Sequence, residues 1–205
     1  HDSIREYICN FIMSKLETNQ VDPATGTTLT LGTSGDTITI PSGVTIANSG
    51  TATGFGGTNA ASFCAVNTSG QTGISSGTMT KMTFNSEDFD TDSAFDLAND
   101  KFVCPSAGKY FFGSSMVLQA TLGSGYFSHG KSILYKNGSS FATFGRADDR
   151  SDNNAREFGM DSSIVVDASA NDYFEMYSQM YTDSGTWLIN HGDKGHRFFG
   201  FKLIT

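Results

Sequence analysis

Histidines, cysteines and clustered carboxylates are the residues of this 205-residue chain from which chemistry would have to be built. His1, His129, His191 and His196 show no HExxH or related metal spacing. His191 and His196 fall in NHGDKGHR, read as a loop between strands, where their separation offers no fixed ligand geometry. Cys9, Cys64 and Cys104 are an odd set without a CxxC pair, which points away from a disulfide framework or a zinc site. Buried free thiols, in a chain assembled in a reducing compartment, are the expectation; a Cys64–Cys104 bridge is left open. Ser162-Ser163 lacks the strand-Ser-helix turn of a nucleophile elbow. No catalytic or cofactor-binding residue is assigned, and the chain is read as non-enzymatic.

Two polar clusters stand out. In the run Glu87, Asp88, Asp90, Asp92, Asp96 and Asp100, the alternation Asp88-x-Asp90-x-Asp92 places hard oxygen ligands as a calcium loop opens, so these three are the calcium candidates. Ser93 replaces the turn glycine and Asn99 the closing glutamate, and the competing reading is a solvated acidic loop anchored in the core by Phe89 and Phe95. The second cluster supplies a candidate recognition loop of Arg146, Asp148, Asp149, Arg150, Asp152 and Arg156. Mixed charge of this kind suits an exposed loop on a rigid scaffold, where Arg and Asp would grip a carbohydrate or protein ligand.

The elements that must carry these residues read as strands. Gly108 to Leu118 follows a proline-containing turn and alternates Tyr110, Phe112, Ser114, Met116 and Leu118 on one face. Its other face carries Phe111, Gly113 and Val117, so both faces are expected to be partly covered. Upstream, Phe95 and Phe102 flank an Asn-Asp turn between two short extended runs. Residues 21–58 differ: Leu29, Leu31, Ile38, Ile40, Val44 and Ile46 alternate with Thr in short pulses separated by Gly-Asp and Pro-Ser-Gly turns. Such pulses bury too little to fold alone, and a β-rich stalk wrapped by three chains around one axis is expected, against a flexible linker. In residues 1–20, Ile4, Tyr7, Ile8, Phe11, Ile12 and Leu16 recur at helical spacing and predict a short amphipathic helix. That segment has no contiguous apolar run or small-residue cleavage site of a signal peptide. Met13 reads as the start of the leader, with His1 to Ile12 an upstream extension; the alternative is a helix that docks onto a larger assembly.

The spacing Phe84, Asp90, Phe95, Phe102, Gly108, Tyr110, Phe112 resembles the signature of the complement component-1q globular domain, departing from it at Ser114, where an aromatic residue is expected. The closing run Phe198-Phe199-Gly200-Phe201-Lys202-Leu203 resembles that family's last strand, and residues 133–138 and 170–177 resemble intervening ones. The resemblance implies an all-β, ten-strand-type jelly-roll sandwich of tumour-necrosis-factor-like form over residues 59–205, associating as a homotrimer. Phe84, Phe95, Phe102, Gly108, Tyr110, Phe112, Tyr177, Phe199 and Phe201 are its expected fold and trimer core. The Thr/Gly-rich leader also resembles those of marine bacteriophage structural proteins.

Composition is consistent with that reading: 23 Gly, 17 Phe and only 3 Pro describe many short strands joined by turns. A net charge of -8 excludes broad phosphate binding, so no nucleic-acid partner is expected. No apolar run is long enough to span a membrane as a helix, and no membrane insertion is expected. Tyr110, Phe112, Met116, Tyr173, Tyr177, Phe199 and Phe201 exceed what one sandwich usually buries, which is the sequence argument for a trimer. The expectation is a trimeric virion protein assembled in the host cytoplasm. It would be a tail-fibre or appendage tip that binds a host surface glycan or protein and attaches to other virion proteins through its N-terminal region. Alternatives are a capsid decoration protein or a secreted adhesin of the same fold.

Overall fold

The computed structural model describes residues 20–50, 61–121, 123, 125–150, 154–190 and 195–203. The chain divides into two compact units, His1–Ala52 and Thr53–Thr205. The helix expected over residues 1–20 lies almost wholly outside the described residues.

In the first unit, residues 20–50 form turns and extended chain without a strand ladder, so the β-rich character expected of this leader is not realised within one chain. Its turns sit where Gly-Asp and Pro-Ser-Gly place them. Asp36 accepts from the Thr33 amide at 2.6 Å, and the Val44 amide donates to the Pro41 carbonyl at 3.2 Å. The physical reason for the missing ladder is lack of cover: Leu29, Leu31, Ile38, Ile40, Val44 and Ile46 are 44–63 % exposed.

The second unit is all-β among the described residues. Its strands are β1 (Ser62–Asn67), β2 (Gln71–Ser75), β3 (Thr80–Lys81), β4 (Ser86–Asp90), β5 (Phe95–Asp96), β6 (Lys101–Val103) and β7 (Gly108–Ala120). They continue with β8 (Phe127–Lys136), β9 (Ser139–Asp148), β10 (Glu157–Ala168), β11 (Tyr173–Thr182), β12 (Thr186–Asn190) and β13 (His196–Lys202). All pairings are antiparallel and make two sheets. In the first, β7 is flanked along its whole length by β10, while β13 and β12 lie end to end on its other edge. Beyond them, β1 pairs β13 and β2 pairs β12, and β4 closes the edge against β1. The second sheet runs β5-β6-β11-β8-β9, with β3 also on β11.

The core is aromatic. Phe63, Phe102, Tyr110, Phe112, Phe127, Phe174, Trp187 and Phe198 are each 0 % exposed. Phe63 stacks on Phe102 at 4.6 Å and Phe112 meets Phe174 at 4.5 Å, contacts that join the two sheets. Each such ring contributes about 1.5–3 kcal/mol through burial, with roughly 0.5–1.5 more per well-oriented ring pair. Gly108 sits at φ 152°, and a Cβ there would lie 2.6 Å from Lys202 Cε.

Phe89, expected as a core anchor beside Phe95, is instead 50 % exposed, whereas Phe95 is 5 % exposed. The cause is the two-residue period of β4: Phe89 lies opposite Cys64, which faces away from the core partner Phe63. His196, read as part of a loop, is the first residue of β13 and 1 % exposed, with Nε2 at 3.0 Å from the Thr83 carbonyl. Both described cysteines, Cys64 and Cys104, are buried and free, so they do not form the bridge that was left open.

Candidate functional site

Two faces of the sandwich present side chains outward in ordered rows. On the first sheet, strand register aligns Phe89, Cys64, Phe199, Gly113 and Ser163 across β4, β1, β13, β7 and β10. The adjacent row is Ser62, Phe201, Phe111 and Val165. Phe111 stacks on Phe201 at 5.0 Å and lies 6.4 Å from Phe199. A Cβ on Gly113 would fall 2.5 Å from the Phe199 ring, so glycine lets that ring lie flat across β7. The result is a shallow apolar face on which Phe89 and Val165 are 50 % and 53 % exposed. Its rim is polar: Arg197 donates to Asp88 at 2.5 Å and approaches Cys64 Sγ at 3.6 Å. Burial raises the Cys64 thiol pKa, with the Arg197 charge opposing.

The second sheet carries a different surface. Across β11, β8 and β9, one row reads Gln179, Lys131, Arg146 and the next Tyr181, His129, Asp148. His129 stacks on Tyr181 at 4.2 Å with an interplanar angle of 10°. Gln179 donates to the Gly77 carbonyl at 2.6 Å and to the Tyr181 hydroxyl at 3.3 Å. His129, Gly130, Lys131, Arg146, Gln179 and Tyr181 line a hollow of about 180 Å³. Burial, then Arg150, pushes the His129 pKa down, with Arg146 and Lys131 adding to the effect and Asp148 opposing it.

No family model matches the chain, and no curated protein matches it. Solved structures do. The globular domain of zebrafish complement 1qA aligns over 70 % of this chain and 97 % of its own, at 13 % identity and TM-score 0.46. Murine APRIL aligns over 70 % of this chain and 98 % of its own, at 10 % identity and TM-score 0.50. The fold is a complement component-1q/tumour-necrosis-factor-like jelly roll.

Within this jelly roll the residues singled out from sequence have distinct fates. Phe84, Phe95, Phe102, Tyr110 and Phe112 lie in the intersheet core. Tyr177, Phe199 and Phe201 are half-buried on outer faces, Tyr177 stacked on Tyr135 at 4.0 Å, and Phe198 is the closing-strand ring that enters the core. The acidic run is dispersed among different partners. Asp88 engages Arg197, whereas Asp90 accepts from the Ala94 amide at 3.1 Å and the Phe95 amide at 2.8 Å, closing the turn that contains Ser93 at φ 51°. Among the described residues no group of three or more His, Cys, Asp or Glu is placed to hold a metal ion.

The recognition cluster divides as well. Arg146 and Asp148 belong to β9 and face outward, because β9 extends further than the loop reading allowed. Asp148 is held well below the usual carboxylate range, at about 2, by its hydrogen bonds from Arg150. Asp149 accepts from the Asn154 and Ala155 amides at 2.9 and 2.8 Å, so it braces the loop from within. Arg156 lies over the Tyr126 ring at 4.7 Å. Asp152, His1 and His191 lie outside the described residues. His129, Lys131, Gln179 and Tyr181 were missed as site residues because their spacing in sequence carries no signal; only the β11-β8-β9 register makes them neighbours.

Proposed function

We propose that this chain is a trimeric, non-enzymatic receptor-binding protein of a virion, a tail-fibre or appendage tip with residues 21–58 as stalk and 59–205 as head. The observation that carries the reading is the apolar outer face of the first sheet. Phe89, Phe111, Phe199, Phe201 and Val165 form a patch there that the head alone leaves accessible, and two further copies around a threefold axis are its proposed cover. The exposed aliphatic pulses of the leader support the same stoichiometry, since three chains wrapped together would cover what one cannot. Three equivalent heads would then bind a host surface through multivalency, each site contributing weakly and the assembly gaining by avidity.

Light scattering on the full chain tests this, with an expected mass near three times the 21.9 kDa chain. Retention on bacterial cells should be saturable for that assembly and lost in a monomeric variant. A monomeric wild-type chain would sink the reading. A trimer that binds purified capsids and not cells would move the protein to the capsid surface as a decoration protein.

A further inference from the structure

The hollow on the second sheet is chemically unlike the rest of the molecule. The chain carries a net charge of -8, yet Arg146 and Lys131 stand side by side on adjacent strands. Neither side chain has a hydrogen-bond or ion-pair partner among the described residues. This contrasts with Lys81, Lys109, Lys136 and Arg150, which pair with Glu175, Asp167, Asp172 and Asp148 respectively. His129 lies beside them, fixed in orientation by its stack on Tyr181 and by Ser128 Oγ at 3.2 Å from Nδ1. The one carboxylate in these rows, Asp148, is turned to Arg150. Gly130, between the outward-facing His129 and Lys131, contributes backbone to the hollow's lining. The volume of about 180 Å³ leaves room for an oxyanion and part of its hydration.

We propose that this hollow, bounded by Arg146, Lys131 and His129, binds a sulfate or carboxylate group carried by the surface receptor. Arg146 offers a planar fork to such a group and Lys131 a mobile point charge. The two cations, left unpaired on an acidic protein, repel each other until an anion enters, so occupancy relieves a cost already present. Protonation of His129 adds a third positive charge, and because its pKa is held below the ordinary 6.5, binding tightens only as pH falls below that value. The charged groups facing that ring are Lys131, Arg146, Arg150 and Asp148. The identity of the anion's carrier rests on the receptor-binding reading above; the oxyanion site itself does not.

The test uses the full chain with three probes at constant ionic strength: sodium sulfate, a sulfated oligosaccharide and an oligouronate. Saturable shifts of the His129 imidazole resonances are expected, with tighter binding at pH 5 than at pH 7. Arg146→Ala and Lys131→Ala should each weaken binding about tenfold or more, the loss expected for one charge-assisted hydrogen bond, with melting temperatures unchanged. Lys109→Ala, on the other sheet, should leave affinity unchanged. Preference between the oligosaccharides identifies sulfate or carboxylate as the natural group. Binding of inorganic sulfate alone supports the oxyanion site while counting against a glycan as its carrier. Absence of saturable shifts with all three probes, or equal weakening by Lys109→Ala, overturns the proposal.

Discussion

Asp90 provides the sharpest separation between a structural carboxylate and a metal ligand. Its two oxygens accept from the Ala94 and Phe95 amides at 3.1 and 2.8 Å. Those amides belong to residues only 7 % and 5 % exposed, at the entry to β5. Replacing Asp90 by Ala removes both acceptors and leaves two largely buried N–H groups without them. Each orphaned donor costs about 1–3 kcal/mol, and water reaching the half-buried turn offsets part of that, so a net loss of about 2–4 kcal/mol is expected. For a domain of this size about 3 kcal/mol lowers the melting temperature by roughly 6–12 °C. The assay is thermal unfolding followed by near-ultraviolet circular dichroism at fixed protein concentration, because melting of an assembly depends on concentration. Asp92→Ala is the internal comparison and should change the melting temperature by no more than about 2 °C, as expected for a surface substitution. Wild-type protein treated with a calcium chelator should melt unchanged. Equal losses for the Asp90 and Asp92 variants, or a chelator effect as large as the Asp90→Ala loss, would refute the capping argument and make the acidic run a metal site.

The paired substitution Phe111→Ser with Phe201→Ser should convert the assembly to monomers in light scattering while core circular dichroism is retained; unfolding instead would return both rings to an intramolecular role. Phe102→Ala should destabilise by about 3–5 kcal/mol in urea unfolding, whereas Phe89→Ala in the isolated head should cost under about 1 kcal/mol, since one ring is fully enclosed and the other half exposed. Asp172 accepts from Lys136, Asn137 and the Ser169 amide, which hold its carboxyl at about 2. With the folded value below the ordinary 3.8, its contribution is present above about pH 4 and is lost as pH falls toward 2; Asp172→Asn should flatten that part of a stability–pH profile. Burial pushes the Cys104 thiol up to about 12, so it should resist alkylation at pH 8 until the head unfolds, as read by mass spectrometry.

Much of the fold was legible because strand periodicity is local. The alternation from Tyr110 to Leu118 assigned the core face of β7, and the Asn-Asp turn between Phe95 and Phe102 marked the β5–β6 hairpin. Legibility failed where the choice of face depends on a partner strand. In the closing strand Phe198, Phe199 and Phe201 are alike in sequence, and only the alignment of Phe198 with Ala65 and Ser114 turns that ring inward. The same holds at Phe89, whose exposure follows from pairing with Cys64 on an edge strand. The start of β1, with Phe63 at the centre of the ring cluster, carried no distinctive local pattern.

By itself, then, the chain's sequence determined that this is an all-β protein rich in turns, in which a Thr/Gly-rich leader precedes an aromatic, strand-forming region in the chain. Those properties follow from residue type and two-residue alternation, which act within a few positions of each other. Tertiary structure alone decided which aromatic rings became core and which became an accessible face, and that Arg146, Lys131 and His129 share one hollow. Antiparallel register brings residues from separate strands to within a few ångströms, and a shift of one position would send each of them to the opposite face.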